Sequence, residues 1–560
     1  MTASHSEGGA DRVLVSENVI TMAADTGPAG GLLIRDGRIE RLIRRDEVPG
    51  LASDGAVIDD VGSRPVLPGF IDVHAHAEVA AWAAYGTVDC RAPHCGGVED
   101  VLAVLSDAVG TGTSEWVVGQ GNLFLDRKLR EGRLPTRDEL DRVSRTVPIV
   151  LRAGGHLSVL NSRALEAARI DRAYQPPASS ITGQPTVIRH GDGEPTGVIK
   201  EMDNLLPLRR QDRATLTAAI RDGLATMFLR HGVTTIGEIS ETVQGIEVMD
   251  ELTRRGDLGM RVRVYLWAPG TMPLDDACHW RDRLALQASP DLLRIQGVKL
   301  FADGGYSAKM AATGQAYLGE GEHRGAIALT ESQLSSALEA TRDAGLQLAV
   351  HANGDRAQEW VCGVIERAGG APGGTLRTRV EHAGNFVPHP AIPDAWQRAG
   401  IIPVPQPVFL YTFGDYFEDY LGDYGTRGRF PFARLTADGW RLSASSDVWV
   451  GSERDATNPL FGVWCAVRRQ SYAGRIIDPD QALSVEAALR MYTVDAAWTL
   501  GEEHRRGSLE AGKDADVIVL DRDPRSVAVD DIPSLRVDAV YLAGQPVYAR
   551  ADSGQRSLVP

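Results

Sequence analysis

Short apolar runs alternate with polar, helix-like stretches over most of this chain. Residues 66–73 form one such run, bounded by Pro65 and Pro68 and closing on His74-Ala75-His76. Its length and flanking prolines predict a buried strand. Side chains at i and i+2 share one face of a strand, so Asp72, His74 and His76 point the same way. Further strand-like runs follow at 233–238, 260–268, 294–301, 346–350, 378–381, 401–405 and 442–446. Helix-like segments at 213–230, 332–344 and 357–367 separate several of them. The last carries Ala357, Trp360, Val361, Val364 and Ile365 at helical spacing. Such alternation calls for a parallel sheet with helical crossovers, and eight units close into an α/β fold, the (β/α)8 TIM-type barrel.

Two regions break the rhythm. Runs at 13–15, 19–22, 31–35 and 38–43, with Asp36-Gly37 between the last two, read as tight-turned strands. The same pattern returns at 515–520, 537–542 and 545–548, around Ala543-Gly544. Neither patch is long enough for a sheet with its own core, so one small β-sandwich built from both termini is expected. The interval 77–210 is too long for one crossover and holds β-like runs at 116–119 and 148–152 and a helix at 162–168. Residues 174–194, rich in Pro, Gly and Ser, read as loop. An insertion leaving the carboxyl end of strand one should form a lid or pocket wall. The expected division is 1–65 for the first part of the sandwich, 66–505 for the barrel with its insertion, and 506–560 for the rest of the sandwich. Residues 1–10, small and polar, read as a disordered tail.

Composition narrows the partners more than the fold. With 560 residues, 43% hydrophobic and 24% charged, the chain can bury a large core. Its formal net charge of −16 disfavours nucleic acid and anionic membranes. The five cysteines are scattered and contain no Cys-x-x-Cys pair, which fits a reducing compartment. No leader-like apolar segment opens the sequence, and no apolar run approaches the roughly 20 residues of a membrane span. A cytoplasmic protein with a small-molecule substrate is expected.

Candidate chemistry gathers at the carboxyl ends of the barrel runs, where such folds carry their sites. Strand one ends in His74 and His76; the fourth run carries Lys299 amid apolar neighbours; the fifth ends in His351; Glu381-His382 closes the sixth; Asp447 follows the eighth. A histidine after an apolar strand is often merely bonded to backbone, and Asp447 is also open to a capping role. A lysine inside an apolar run is costly unless paired or chemically altered. Converging on one rim, these groups point to metal ligation.

Four motifs make the pattern specific: Val66-Leu-Pro-Gly-Phe-Ile-Asp-Val-His-Ala-His76, Val298-Lys-Leu-Phe-Ala-Asp-Gly304, His351-Ala-Asn-Gly-Asp-Arg-Ala357 and Glu381-His-Ala383. With Gly154-Gly-His156 and the tail Gly507-Ser-Leu-Glu-Ala-Gly-Lys-Asp-Ala-Asp-Val517, the chain resembles the amidohydrolase superfamily. It is most similar to the amidohydrolase-3 branch, the YtcJ-like and N-substituted formamide deformylase group. The resemblance implies a metal-dependent hydrolase of a non-peptide amide, N-formyl or cyclic amide bond. It implies two divalent ions: one held by His74, His76 and Asp447, the other by His351 and His382. Lys299, N6-carboxylated, would bridge them; an unmodified Lys299 beside one metal is the rival reading. Zinc suits this donor set, with iron, manganese and nickel also open.

By the same resemblance Asp447 shuttles the proton and His156 meets the substrate carbonyl; an exposed loop histidine is the alternative for His156. Asp72 and Asp355 are expected to orient ligating imidazoles, with an ion pair as the alternative for Asp355. Trp82, Tyr306, Phe409, Tyr411 and Trp449 are candidates for the pocket lining. The aromatic-acidic run 411–424 should form part of the mouth or a partner surface. Homo-oligomerisation follows from the resemblance alone. Gly305-Tyr306-Ser307-Ala308-Lys309 and Val448-Trp449-Val450 depart from the family pattern where substrate would rest. An ester or lactone hydrolase, a decarboxylase and a metal-free scaffold are the competing functions.

Overall fold

A computed structural model describes residues 11–24, 27, 29–111, 116–178, 180, 182–208, 212–449 and 451–551. The tail at 1–10 lies outside them. The central element is a seven-stranded, all-parallel sheet whose strands follow in chain order. They are Phe70–Ala75, Val233–Ser240, Arg261–Trp267, Leu293–Phe301, Gln347–His351, Arg379–Glu381 and Ile402–Val404. Each strand is buried along its whole length except at Arg294, as expected when helices cover one face and the curled sheet encloses the other. The fold is α/β of the TIM type.

The eighth run does not form a regular strand. Residues 442–448 carry no regular strand pairing and join strand one through two bonds, Asp447 N–H to His74 O and His76 N–H to Val448 O, each 2.9 Å. The amide of Ser446 turns to the side chain of Asp72 at 3.1 Å. A side-chain acceptor has replaced a ladder partner, so periodicity overstates the strand. The first run is also divided. Pro65–Pro68 belongs to a peripheral sheet and Phe70–Ala75 to the barrel.

At the periphery, Arg38–Ile43, Gly31–Arg35, Arg12–Val15 and Val57–Asp60 form a four-stranded sheet. Asn18–Val19, Pro65–Pro68, Val517–Leu520, Val537–Leu542 and Gln545–Ala549 form a five-stranded one. Leu14, Leu32 and Ile34 from the first share an apolar cluster with Val66, Val517, Val519 and Tyr541 from the second. Both chain ends therefore contribute to one core.

Within 77–210, Ala77–Gly86 is a helix packed on Arg213–Met227, so it belongs with the barrel crossovers. The rest is built on a six-stranded sheet ordered Thr186–Arg189, Pro195–Lys200, Leu157–Leu160, Ile149–Ala153, Val117–Gly121 and Val88–Asp89. The interval 174–194 expected as loop thus holds the strand Thr186–Arg189, which pairs antiparallel with Pro195–Lys200 across a glycine-rich turn. No helix among the described residues is long and apolar enough to cross a membrane.

Candidate active site

Parallel pairing brings the ends of strands one, four, five and six to one rim, and the irregular eighth segment adds Asp447. His74, His76, Lys299, His351, His382 and Asp447 all line one cavity that opens to solvent. One ligand-type atom from each of His74, His76 and Asp447 lies within 4.8 Å of the others. His382 Nε2 lies 3.0 Å from His351 Nδ1. Lys299 Nζ lies 3.3 Å from His74 Nε2 and 4.7 Å from the Phe301 ring centroid. His382 (φ 73°) and Asp447 (φ 43°) both hold left-handed backbone, which non-glycine residues adopt at a cost when the surroundings enforce it.

The Nδ1 atoms of His74 and His382 are already committed. His74 Nδ1 lies 2.5 Å from Glu381 Oε2, and Glu381 is paired with the buried Arg379 at 2.8 Å. His382 Nδ1 lies 2.8 Å from Gln406 Oε1. The Gln406 amide is oriented by donating to Val404 O (2.9 Å) and Ser445 Oγ (3.0 Å) and accepting from Asn385 (2.7 Å). His76 Nδ1 faces Glu241 Oε1 at 3.3 Å. The Nδ1 atoms of His74 and His382 meet acceptors and carry the proton, so their Nε2 atoms present lone pairs. The Nε2 atoms of His74 and His76 lie 3.2 and 3.6 Å from Asp447 Oδ1. Two neutral imidazoles and a carboxylate gathered within ligand reach of one point in a buried site form a donor set for a cation, and the residues therefore fit a metal centre.

Burial dominates the electrostatics. It holds His74, His76 and His351 well below the ordinary imidazole range and His382 down at about 3, in the neutral form that binds metal. It also lowers the Lys299 ammonium and raises the Asp447 carboxyl.

His156, from the insertion, lines the cavity and is buried, not exposed. Its Nδ1 lies 2.8 Å from Glu201 Oε2. Burial pulls its pKa down most, but the charge and hydrogen bond of Glu201, with the charges of Asp447 and Asp303, together outweigh this and raise it. Trp449 stacks on His76 with centroids 5.0 Å apart and meets His156 edge-on at 5.5 Å. Tyr306 lines the cavity and donates from its hydroxyl to Asn353 O at 3.2 Å.

Other expected neighbours lie elsewhere. Asp72 accepts from the amides of His74 and Ser446, so it fastens the eighth segment to strand one and does not touch an imidazole ring. Asp355 accepts from Gly314 N–H and from the Tyr424 hydroxyl, again away from the imidazoles. Trp82 lines a neighbouring cavity, and Tyr411 packs against Phe461 and Trp464. Phe409 and, from the aromatic-acidic run, Phe413 reach the cavity, whereas Tyr416, Phe417 and Tyr420 are buried in the core. Sequence pattern assigns no role to Glu201, Glu241, Glu381 or Gln406. The one available signal is a glutamate immediately before His382 on a strand buried on both faces.

A TIM-type sheet with this rim defines a barrel hydrolase. The chain belongs to the Amidohydrolase family, whose model matches residues 60–548, and is thus an enzyme that hydrolyses carbon–nitrogen bonds. It is 30% identical over 559 residues to an N-substituted formamide deformylase of Arthrobacter pascens, covering 97% of this chain and 99% of the relative. YtcJ of Bacillus subtilis strain 168, named with the amidohydrolases, is 26% identical over 559 residues, covering 93% and 95%. Among solved structures, a metal-dependent hydrolase from Pyrococcus horikoshii OT3 shares the fold, with a TM-score of 0.71 at 23% identity. That likeness covers 93% of this chain and 99% of the other.

Proposed function

We propose that the chain hydrolyses a neutral, N-substituted amide with a small acyl group, an N-substituted formamide being the leading candidate. The observation that carries this reading is the set of imidazoles gathered with Asp447 and Lys299. His74, His76 and Asp447 would hold one divalent ion and His351 and His382 a second, with Lys299 between them as an N6-carboxylated bridge. Such ions, zinc suiting imidazole and carboxylate donors, would supply a lowered water pKa and a polarised carbonyl.

The chain's own groups do the rest. Asp447 takes the proton of the attacking water and delivers it to the leaving nitrogen, so the amide yields a carboxylic acid and an amine. His156 meets the carbonyl oxygen as it gains charge. Phe124, Phe409, Phe413, Tyr306 and Trp449 surround the centre and offer an apolar seat for the nitrogen substituent. Lys299 is the one Lys or Arg among the described lining residues, which favours an uncharged substrate. The relative of Arthrobacter pascens supports the formamide class by its name alone. The two peripheral sheets read as one small β-sandwich, and the acidic chain as a cytoplasmic enzyme without nucleic-acid or membrane partners.

Purified enzyme should contain about two equivalents of metal and turn over p-nitroformanilide faster than matched phenyl and alkyl esters. Asp447→Asn should lower kcat by roughly 10²–10⁴-fold, the scale of general acid–base catalysis. Turnover of esters alone, or full activity in metal-free protein, would sink the reading.

A further inference from the structure

We infer that Glu201 is the positioning residue for His156, holding the proton on Nδ1 and the ring in the rotation that turns Nε2 into the cavity. The inference rests on the proposed role of His156 in meeting the substrate carbonyl.

Glu201 follows the insertion strand Pro195–Lys200 and is fully buried. It grips His156 twice. Its backbone N–H donates to His156 O at 2.9 Å, and its Oε2 lies 2.8 Å from His156 Nδ1. The other oxygen, Oε1, accepts from the backbone N–H of Gly305 at 3.0 Å. A carboxylate is a weaker base than an imidazole, so the proton between Glu201 and His156 sits on the imidazole, with Oε2 as its acceptor. The same side chain joins the insertion to the segment that follows Lys299 on strand four.

Three further features show that the surroundings are shaped around this pair. Glu201 itself has φ 52°, a left-handed conformation that costs a non-glycine residue free energy and persists where neighbours enforce it. A Cβ on Gly304 would lie 2.5 Å from Glu201 Oε1. A Cβ on Gly305 would lie 2.6 Å from the His156 ring. Two consecutive positions therefore have to lack a side chain for the pair to sit where it does. A glutamate needed merely for packing would not require a polar contact from each oxygen; a residue that sets a tautomer does.

The test is a double-mutant cycle in the zinc-loaded enzyme with p-nitroformanilide as probe, joined to 15N NMR of labelled histidine rings. Glu201→Gln should lower kcat by roughly 10–100-fold, as when an outer hydrogen-bond partner of a catalytic group is lost. KM should stay within about threefold and unfolding should remain cooperative. Glu201→Gln combined with His156→Ala should be no slower than His156→Ala alone, because partners acting as one unit are not additive. The His156 ring, identified by its absence in His156→Ala, should show a protonated Nδ1 in the wild type and an altered pattern in Glu201→Gln. Additive losses, or a ring signature unchanged by Glu201→Gln, would overturn the inference. If His156→Ala keeps wild-type kcat, the proposed role of His156 fails instead, and the ring signature still decides whether Glu201 holds it.

Discussion

At the scale of single residues, the rim is built from ligand-type groups that each need a second partner to be useful. His74, His76, Lys299, His351, His382 and Asp447 are legible in the sequence because each ends or interrupts an apolar run, where a polar side chain stands out. Their partners are not legible. Glu381 lies 307 positions from His74 and Glu201 lies 45 from His156, and neither pairing leaves a periodic trace. Gly155 shows how tight the packing is: a Cβ there would fall 2.4 Å from the Trp449 ring, which stacks on His76. Gly155→Ala should therefore push the indole off the imidazole. Displacements of about 1 Å near reacting groups cost up to roughly 100-fold, so kcat/KM should fall by at least tenfold while unfolding changes little. Unaltered kcat/KM in that variant would show that the stack has no part in the chemistry.

Elements matter through what they orient. Ile402–Val404 supplies no ligand, yet Gln406 just beyond it holds His382 and ties the sixth strand to the eighth segment through Ser445. Loss of such outer partners typically weakens metal binding by about 10–100-fold. Gln406→Ala should therefore surrender metal to a chelator at correspondingly lower chelator concentration, as followed by competition titration; unchanged retention would remove Gln406 from the centre. The apolar run at 442–446 predicts a strand for the eighth segment. It is instead held by Asp72 and two backbone bonds, because a side-chain acceptor satisfies the amide of Ser446. Apolar periodicity reports burial, not which acceptor an amide chooses.

For the molecule as a whole, a buried charge network joins the barrel to the carboxyl-terminal motif at 507–517. Glu502 Oε1 pairs with Arg263 and Arg294, both at 2.6 Å, and its other oxygen meets Arg506. Arg506 also reaches Asp514 and Asp291 at 2.7 Å, and Arg261 reaches Asp516 at 2.8 Å. Burial alone would raise the Glu502 carboxyl, but Arg263, Arg506 and Arg294 outweigh it and hold it down at about 2. A depressed carboxylate stabilises the fold above its unfolded pKa and loses that contribution as pH falls through its folded pKa. Stability should thus decline between about pH 4.5 and 2, by up to about 3 kcal/mol from this group at 1.36 kcal/mol per unit. Urea titrations at pH 5.5 and 3 should show a smaller difference in Glu502→Gln than in the wild type; equal differences would assign the acid sensitivity elsewhere.

What the order of residues dictates here is local: where strands begin and end, which faces are apolar, and which few polar groups interrupt them. Those features place His74, His76, Lys299, His351 and His382 at or near the carboxyl ends of parallel strands, whereas Asp447 sits on an irregular segment. Register, the irregular eighth segment, the buried glutamates and the face that each imidazole nitrogen presents emerge only when distant segments close on one another. The reason is that a buried hydrogen-bond partner is selected by proximity in space, across separations of up to several hundred positions, whereas burial of an apolar side chain is prepared by its immediate neighbours along the chain.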